Sequence, residues 1–113
     1  MTIKVRGHGI VVGPELAGFV ERRLAFALSR FGGRVRAVQV RLADLNGPRG
    51  GIDKRCSMQA SLTPSGDVRV EDTDSQLPAA VDRAATRLAR AVGATLERRR
   101  ESVGAAVLPG DEP

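Results

Sequence analysis

From Ile52 to Thr63 apolar and polar residues alternate. Ile52, Cys56, Met58, Ala60 and Leu62 fall on one side, and Asp53, Arg55, Ser57, Gln59 and Ser61 on the other. A period of two over that length describes a strand with one face buried and one face wet. Lys54 is the single charge on the apolar row, placed where it is expected to reach solvent at the strand's start. A strand of this kind needs neighbours in a sheet and a covering layer on one side only, so the rest of the chain must supply both.

It does so in order. Thr2 to His8 alternates with Ile3 and Val5 on the apolar side, a first strand. Gly13 breaks the pattern, and Pro14 with Glu15 suits a helical first turn, where a missing N–H is harmless and a carboxylate meets the helix dipole. Leu16, Val20, Leu24, Ala27, Leu28 and Phe31 then recur at helical spacing up to Gly32 and Gly33. Arg34 to Leu45 returns to period two through Val38, Val40 and Leu42. After the Ile52–Thr63 strand come the turn Pro64-Ser65-Gly66 and a short strand through Val68 and Val70, before Asp72 and Asp74. The last helix is expected from near Ser75 to about Arg100, with Leu77, Val81, Ala84, Leu88, Val92 and Leu96 as its stripe. This order predicts an α+β two-layer sandwich, β-α-β-β-β-α, with a four-stranded mixed sheet and two helices on one face. Residues 1–101 form one domain, and residues 102–113, without periodicity, are expected to be a disordered tail.

Composition narrows the function. Lys and Arg number 18 against 13 Asp and Glu, a formal charge of +5. Only two of those cations, Lys4 and Lys54, are lysines. An excess of Arg is the footprint of a polyanionic partner and suits phosphate, although an Arg-rich proteome would leave the same composition. Three Phe and no Trp or Tyr leave little for stacking bases. Cys56 is the one cysteine and His8 the one histidine. Zinc clusters and His-based triads therefore lack parts, His8 is expected to be a satisfied structural residue, and neither metal nor cofactor is expected. No leader pattern opens the chain and no apolar run is of spanning length, so a cytoplasmic protein without a membrane partner is expected.

The strongest local signal lies on the last helix. At about 100° per residue Arg83, Arg87, Arg90 and Arg98 fall within roughly 80° of one another, away from the apolar stripe. Helix one adds Arg22, Arg23 and Arg30. A solvated helix face is the plain reading of such a row. With Asp82 and Glu97 as the only acids set among the helix-two arginines, the ridge reads instead as poorly neutralised, hence as an RNA-binding surface. A second candidate is Asn46-Gly47-Pro48-Arg49-Gly50-Gly51, where glycines allow close approach to phosphate and Arg49, Lys54 and Arg55 supply counter-charge. It lacks the Gly-Lys-Ser/Thr ending and the following helix of a P-loop, so a plain connection between strands is an equal reading. Val5-Arg6-Gly7-His8-Gly9 before a helix is similar to the phosphate cradle of acylphosphatases, but residues 9–15 supply no arginine and the order ends on a helix instead of a strand.

Several segments together resemble the ribosome hibernation-promoting and ribosome-associated inhibitor family, once described as sigma-54 modulation proteins. They are Ile3-Lys4-Val5-Arg6-Gly7, Val20-Glu21-Arg22-Arg23-Leu24, Asp44 to Cys56 reading DLNGPRGGIDKRC, and Val70 to Asp74 leading into Ala79-Ala80-Val81-Asp82-Arg83. The resemblance implies a protein that sits in the small-subunit channel between head and body, contacts ribosomal RNA, and occludes messenger RNA and the A-site and P-site transfer RNAs without catalysis. It places RNA contacts at Arg23, Arg30, Arg87 and Arg90; Phe26 and Ala94 stand where relatives often carry Lys. Longer members add a dimerisation domain, which is absent up to Pro113, so a short form, acting as a monomer, is expected. The implied partner is the small ribosomal subunit and its RNA, with no small-molecule substrate. A general double-stranded RNA binder and a protein-interaction module are the rival readings.

Overall fold

The structure, a computed structural model, describes residues 1–45 and 53–106, with side chains described to Arg100. Its elements are β1 (Thr2–His8), α1 (Pro14–Leu28), a 3₁₀ segment (Ser29–Arg34), β2 (Val35–Asp44), β3 (Lys54–Leu62), β4 (Asp67–Asp74) and α2 (Leu77–Ala106). The strands form one sheet in the order β1-β2-β3-β4. β1 and β2 are parallel, as the intervening helix requires, and the remaining pairs are antiparallel. The expected α+β architecture is the observed one.

Register sorts every strand residue onto one of two faces. Val5, Val40, Met58 and Val70 form one row across all four strands, and Ile3, Val38, Ala60 and Val68 the next. These rows meet Val20, Leu24 and Leu28 of α1 and Ala80, Val81, Ala84, Leu88 and Val92 of α2 in a single apolar cluster. That cluster is the dominant stabilising element, since burying a Val or Leu side chain contributes roughly 1.5–3 kcal/mol. α1 starts without a side-chain cap; Pro14 occupies its first turn and the Ala17 N–H donates to the Gly13 carbonyl at 3.0 Å. Ahead of α2, the Asp74 carboxylate accepts from the Gln76 N–H at 2.8 Å.

Four details differ from the sequence expectation. β4 continues through Asp72 and Asp74, because these acids pair with arginines of α2 and need not leave the sheet. α2 runs to Ala106, past the expected end near Arg100, so its last turn takes in residues assigned to the tail; residues 107–113 lie outside the described residues. Lys54 reaches solvent only in part: its ammonium meets Asp53 at 2.9 Å and Asp44 at 3.6 Å. Asp53 is fully buried, and the Asp53 carboxylate, with Asp44, holds the Lys54 pKa above its ordinary value. His8 is exposed and makes no hydrogen bond to another described residue, so it is not the satisfied structural histidine expected.

Candidate nucleic-acid interface

Both helices cover the same face of the sheet, and the arginines of the two meet along the seam between them. Two adjoining concavities follow that seam. One is lined by Arg23, Asp82, Arg83, Thr86, Arg87 and Arg90. The other includes Arg30, Phe31, Arg34, Arg90, Gly93 and Arg100. Arg90 belongs to both, so the two concavities adjoin, each lined largely by arginines with one acid, Asp82 in the first and Glu97 in the second.

The end nearer the start of α2 is heavily tied. Arg83 donates to Asp72 Oδ1 at 3.1 Å, to the Thr73 carbonyl at 2.9 Å and to Asp74 Oδ2 at 2.8 Å. Arg87 donates to Asp72 Oδ2 at 3.3 Å and to the Glu71 carbonyl at 3.0 Å. Arg23 crosses from α1 to Asp82 at 3.0 Å and to Thr86 at 2.9 Å. Burial alone would push the Asp72 carboxyl up, but hydrogen bonds from Arg83 and Arg87 hold it below the usual carboxylate range. Asp74 is also held low, first by the Gln76 N–H and then by Arg83, while Asp72 and then Asp74 raise the Arg83 guanidinium. The expectation of a poorly neutralised ridge fails here. The neutralising acids come from β4, and a helical wheel shows only the acids of its own helix.

The other end is open. Arg30, Arg34, Arg90 and Arg100 are exposed and form no ion pair among the described residues. Arg30 lies over the Phe31 ring, 4.7 Å from its centroid. Gly93 lies against this pair: a Cβ there would stand 3.4 Å from Arg30 Nη2 and 3.6 Å from Phe31 Cζ, ordinary contact distances, so alanine fits and a larger side chain would have to push Phe31 and Arg30 aside.

Of the other candidates, Arg22 is exposed on the outer side of α1 and carries no ion pair among the described residues. Arg98 donates to the Thr95 hydroxyl at 3.2 Å and lines neither concavity. Arg55 lies on the uncovered sheet face, 3.6 Å from Glu71. Lys54 is held by Asp53 and Asp44, as above, and Arg49 lies outside the described residues. Sequence reasoning missed Arg34 and Arg100: the first follows the helical period of α1 and the second sits at the expected end of α2. Arg99, next to Arg100 in sequence, serves the fold, donating to the Thr63 carbonyl at 3.3 Å and to the Ser65 carbonyl to pin the β3–β4 turn.

The enzyme-like features come to little. A Cβ at Gly7 would collide with the Ile10 carbonyl oxygen, so the loop after β1 is closed on its own backbone with an acceptor where a phosphate would need donors. Cys56 is buried, which pushes its thiol up to about 12 with help from Asp72. No helix among the described residues is long and apolar enough to cross a membrane.

A family profile described as "Sigma 54 modulation protein / S30EA ribosomal protein" matches residues 3–100. The chain belongs to this family. The Protein Y N-terminal domain of Thermus thermophilus shares 32% identity at a TM-score of 0.70, over 84% of this chain and 99% of that one. A ribosomal subunit interface protein from Coxiella burnetii has the same fold, with a TM-score of 0.71 at 15% identity, over 86% of this chain and 99% of that one. No curated protein sequence matches significantly. Family membership agrees with the resemblance drawn from the sequence segments, and the described βαβββα domain spans the matched residues.

Proposed function

We propose that this protein is a ribosome-associated translation inhibitor that lays the α1–α2 groove against small-subunit ribosomal RNA in the decoding channel. There it blocks messenger RNA and the A-site and P-site transfer RNAs by occupying their space. The observation that carries the reading is the arginine-lined seam, joined to membership of a family that includes an S30EA ribosomal protein. Arg30 and Arg90, with Arg34 and Arg100 beside them, are the leading phosphate contacts. Arg23, Arg83 and Arg87 contribute after exchanging their carboxylate partners for phosphate, and Arg22 and Arg98 reach flanking backbone. Arg55 and the 46–52 connection, including Arg49, form a second and lesser contact.

Guanidinium–phosphate contacts position a protein without reading sequence, so selectivity comes from the shape of the channel. The protein catalyses nothing in this role and works in the cytoplasm as a monomer. The test is co-sedimentation with vacant small subunits across a salt series, with messenger RNA and initiator transfer RNA as competitors. With about six phosphate contacts, affinity should fall on the order of a thousandfold between 50 and 200 mM salt. Both competitors should displace the protein. A flat salt response, or binding that coexists with both RNAs, overturns the mechanism. Free duplex RNA competing as well as the subunit would point to a general double-stranded RNA binder instead.

A further inference from the structure

The sheet face that no helix covers is itself strongly basic, and the groove reading leaves it unused. Register places Lys4, Gln39, Gln59 and Arg69 in one row across it, and Arg6, Arg41, Ser57 and Glu71 in the next. All of these residues except Glu71 line a shallow concavity of about 270 Å³. Lys4, Arg6, Arg41 and Arg69 are exposed and make no ion pair among the described residues. The two acids on these strands' open face are engaged: Glu71 accepts from Ser57 at 3.1 Å and lies 3.6 Å from Arg55, and Asp67 accepts from Gln59 at 3.3 Å.

One juxtaposition on this face is costly for the fold. Arg6 and Arg41 are direct partners across the parallel β1–β2 ladder, with Lys4 two residues away on the same side. Like charges directly opposed on a sheet are destabilising. Alternating polar residues would keep the strand pattern equally well, so the pair is better explained by an anion that lies between the two guanidinium groups than by solvation alone.

The face also indicates which anion. Cations stand on both edge strands, β1 and β4, about 14 Å apart at the usual strand spacing, with neutral Gln39, Gln59 and Ser57 between them. No aromatic residue lies there: Phe19 and Phe31 pack against the core on the helix side, and Phe26 is exposed on α1. Single-stranded RNA is held largely by stacking on such rings. Helical RNA instead presents phosphates flanking a groove of 2′-hydroxyls, which amide and hydroxyl side chains can bond without touching a base. We infer that the open face of the sheet is a second RNA-binding surface, which takes the backbone of a helical RNA segment between Lys4, Arg6, Arg41 and Arg69. The protein then has RNA surfaces on both sides and can bridge two segments. This inference needs only RNA as the ligand of the helix groove and does not depend on the decoding channel being its location.

The experiment uses the full chain and a fluorescein-labelled 16-base-pair RNA duplex, with stoichiometry read by sedimentation velocity at low salt and excess RNA. The native protein should bind two duplexes. A Lys4→Gln, Arg41→Gln, Arg69→Gln variant should bind one, with its native circular dichroism spectrum retained, and so should an Arg30→Gln, Arg90→Gln variant of the helix groove. The single Arg41→Gln variant, which changes one exposed side chain, should lower the log–log salt slope by about one. One duplex per native protein, or two on the triple variant, overturns the inference, as does an unchanged slope for Arg41→Gln. Two duplexes on the helix-groove variant would refute the groove reading and leave the sheet surface standing.

Discussion

The two ends of the α1–α2 groove carry the same residue type in opposite states. At one end Arg83 and Arg87 are bound to Asp72, Asp74 and the β4 carbonyls, and Arg23 to Asp82. At the other, Arg30, Arg34, Arg90 and Arg100 have no carboxylate partner among the described residues. The first arrangement fixes side-chain geometry and anchors β4 to α2, and each guanidinium there has part of its donor set engaged and a carboxylate beside it, which weakens its pull on a phosphate. The second leaves charge free on long side chains without carboxylate partners among the described residues, so its cost on binding is mainly rotamer entropy. A basic helix face is thus not one uniform surface, and binding energy should be concentrated at the open end.

The largest effect should follow charge reversal there. Losing two phosphate contacts lowers affinity roughly 60-fold at 0.1 M salt, so Arg30→Glu with Arg90→Glu should cost at least that in filter binding to small subunits. The same reversal at Arg83 and Arg87 should cost less affinity and more stability; equal losses of affinity would erase the distinction between the ends. Next in size, Gly93→Leu should displace Phe31 and Arg30 and weaken binding on the order of tenfold, while Gly93→Ala, which fits the space, leaves it nearly native. Unchanged binding by the leucine variant would show that the position of Arg30 over Phe31 is unimportant.

Asp72→Asn tests the tied end from its acidic side. It should free Arg83 and Arg87 and tighten RNA binding about threefold while lowering the urea midpoint, a trade of stability for affinity. Loss of stability with no gain in affinity would mean that the pairs do not compete with RNA.

The smallest effect is in pH dependence. The folded-state pKa values of Asp72 and Asp74 lie below those of the unfolded chain, so the folded state binds fewer protons. Their contribution to stability is fully present above the unfolded carboxylate range near pH 4 and is lost as pH falls through the lower folded values. Asp72→Asn should therefore flatten the acid limb of a urea-midpoint profile, below the ordinary carboxylate range, and leave its slope near neutrality alone. A native acid limb in that variant would assign the acid sensitivity to other carboxylates.

Local pattern was enough to set the layers. The strict alternation in β3, the helical period of Val20, Leu24 and Leu28, and the apolar stripe from Val81 to Leu96 each admit one local structure and one buried side. With the links between them short, little freedom remained in the topology. The arginines of α1 and α2 were likewise visible, because helical spacing is enough to place them on one side. Which of those charges are free followed from packing. Asp72 lies eleven positions before Arg83 and Asp82 fifty-nine after Arg23, and no local period connects them. Lys54 read as a solvent-seeking charge until the fold set it beside Asp44 and Asp53, and Arg34 and Arg100 came together beside Gly93 only when two segment ends met. Backbone pattern follows from neighbours in sequence, whereas charge pairing depends on distances of a few ångströms between residues far apart in the chain, which only the packed structure sets.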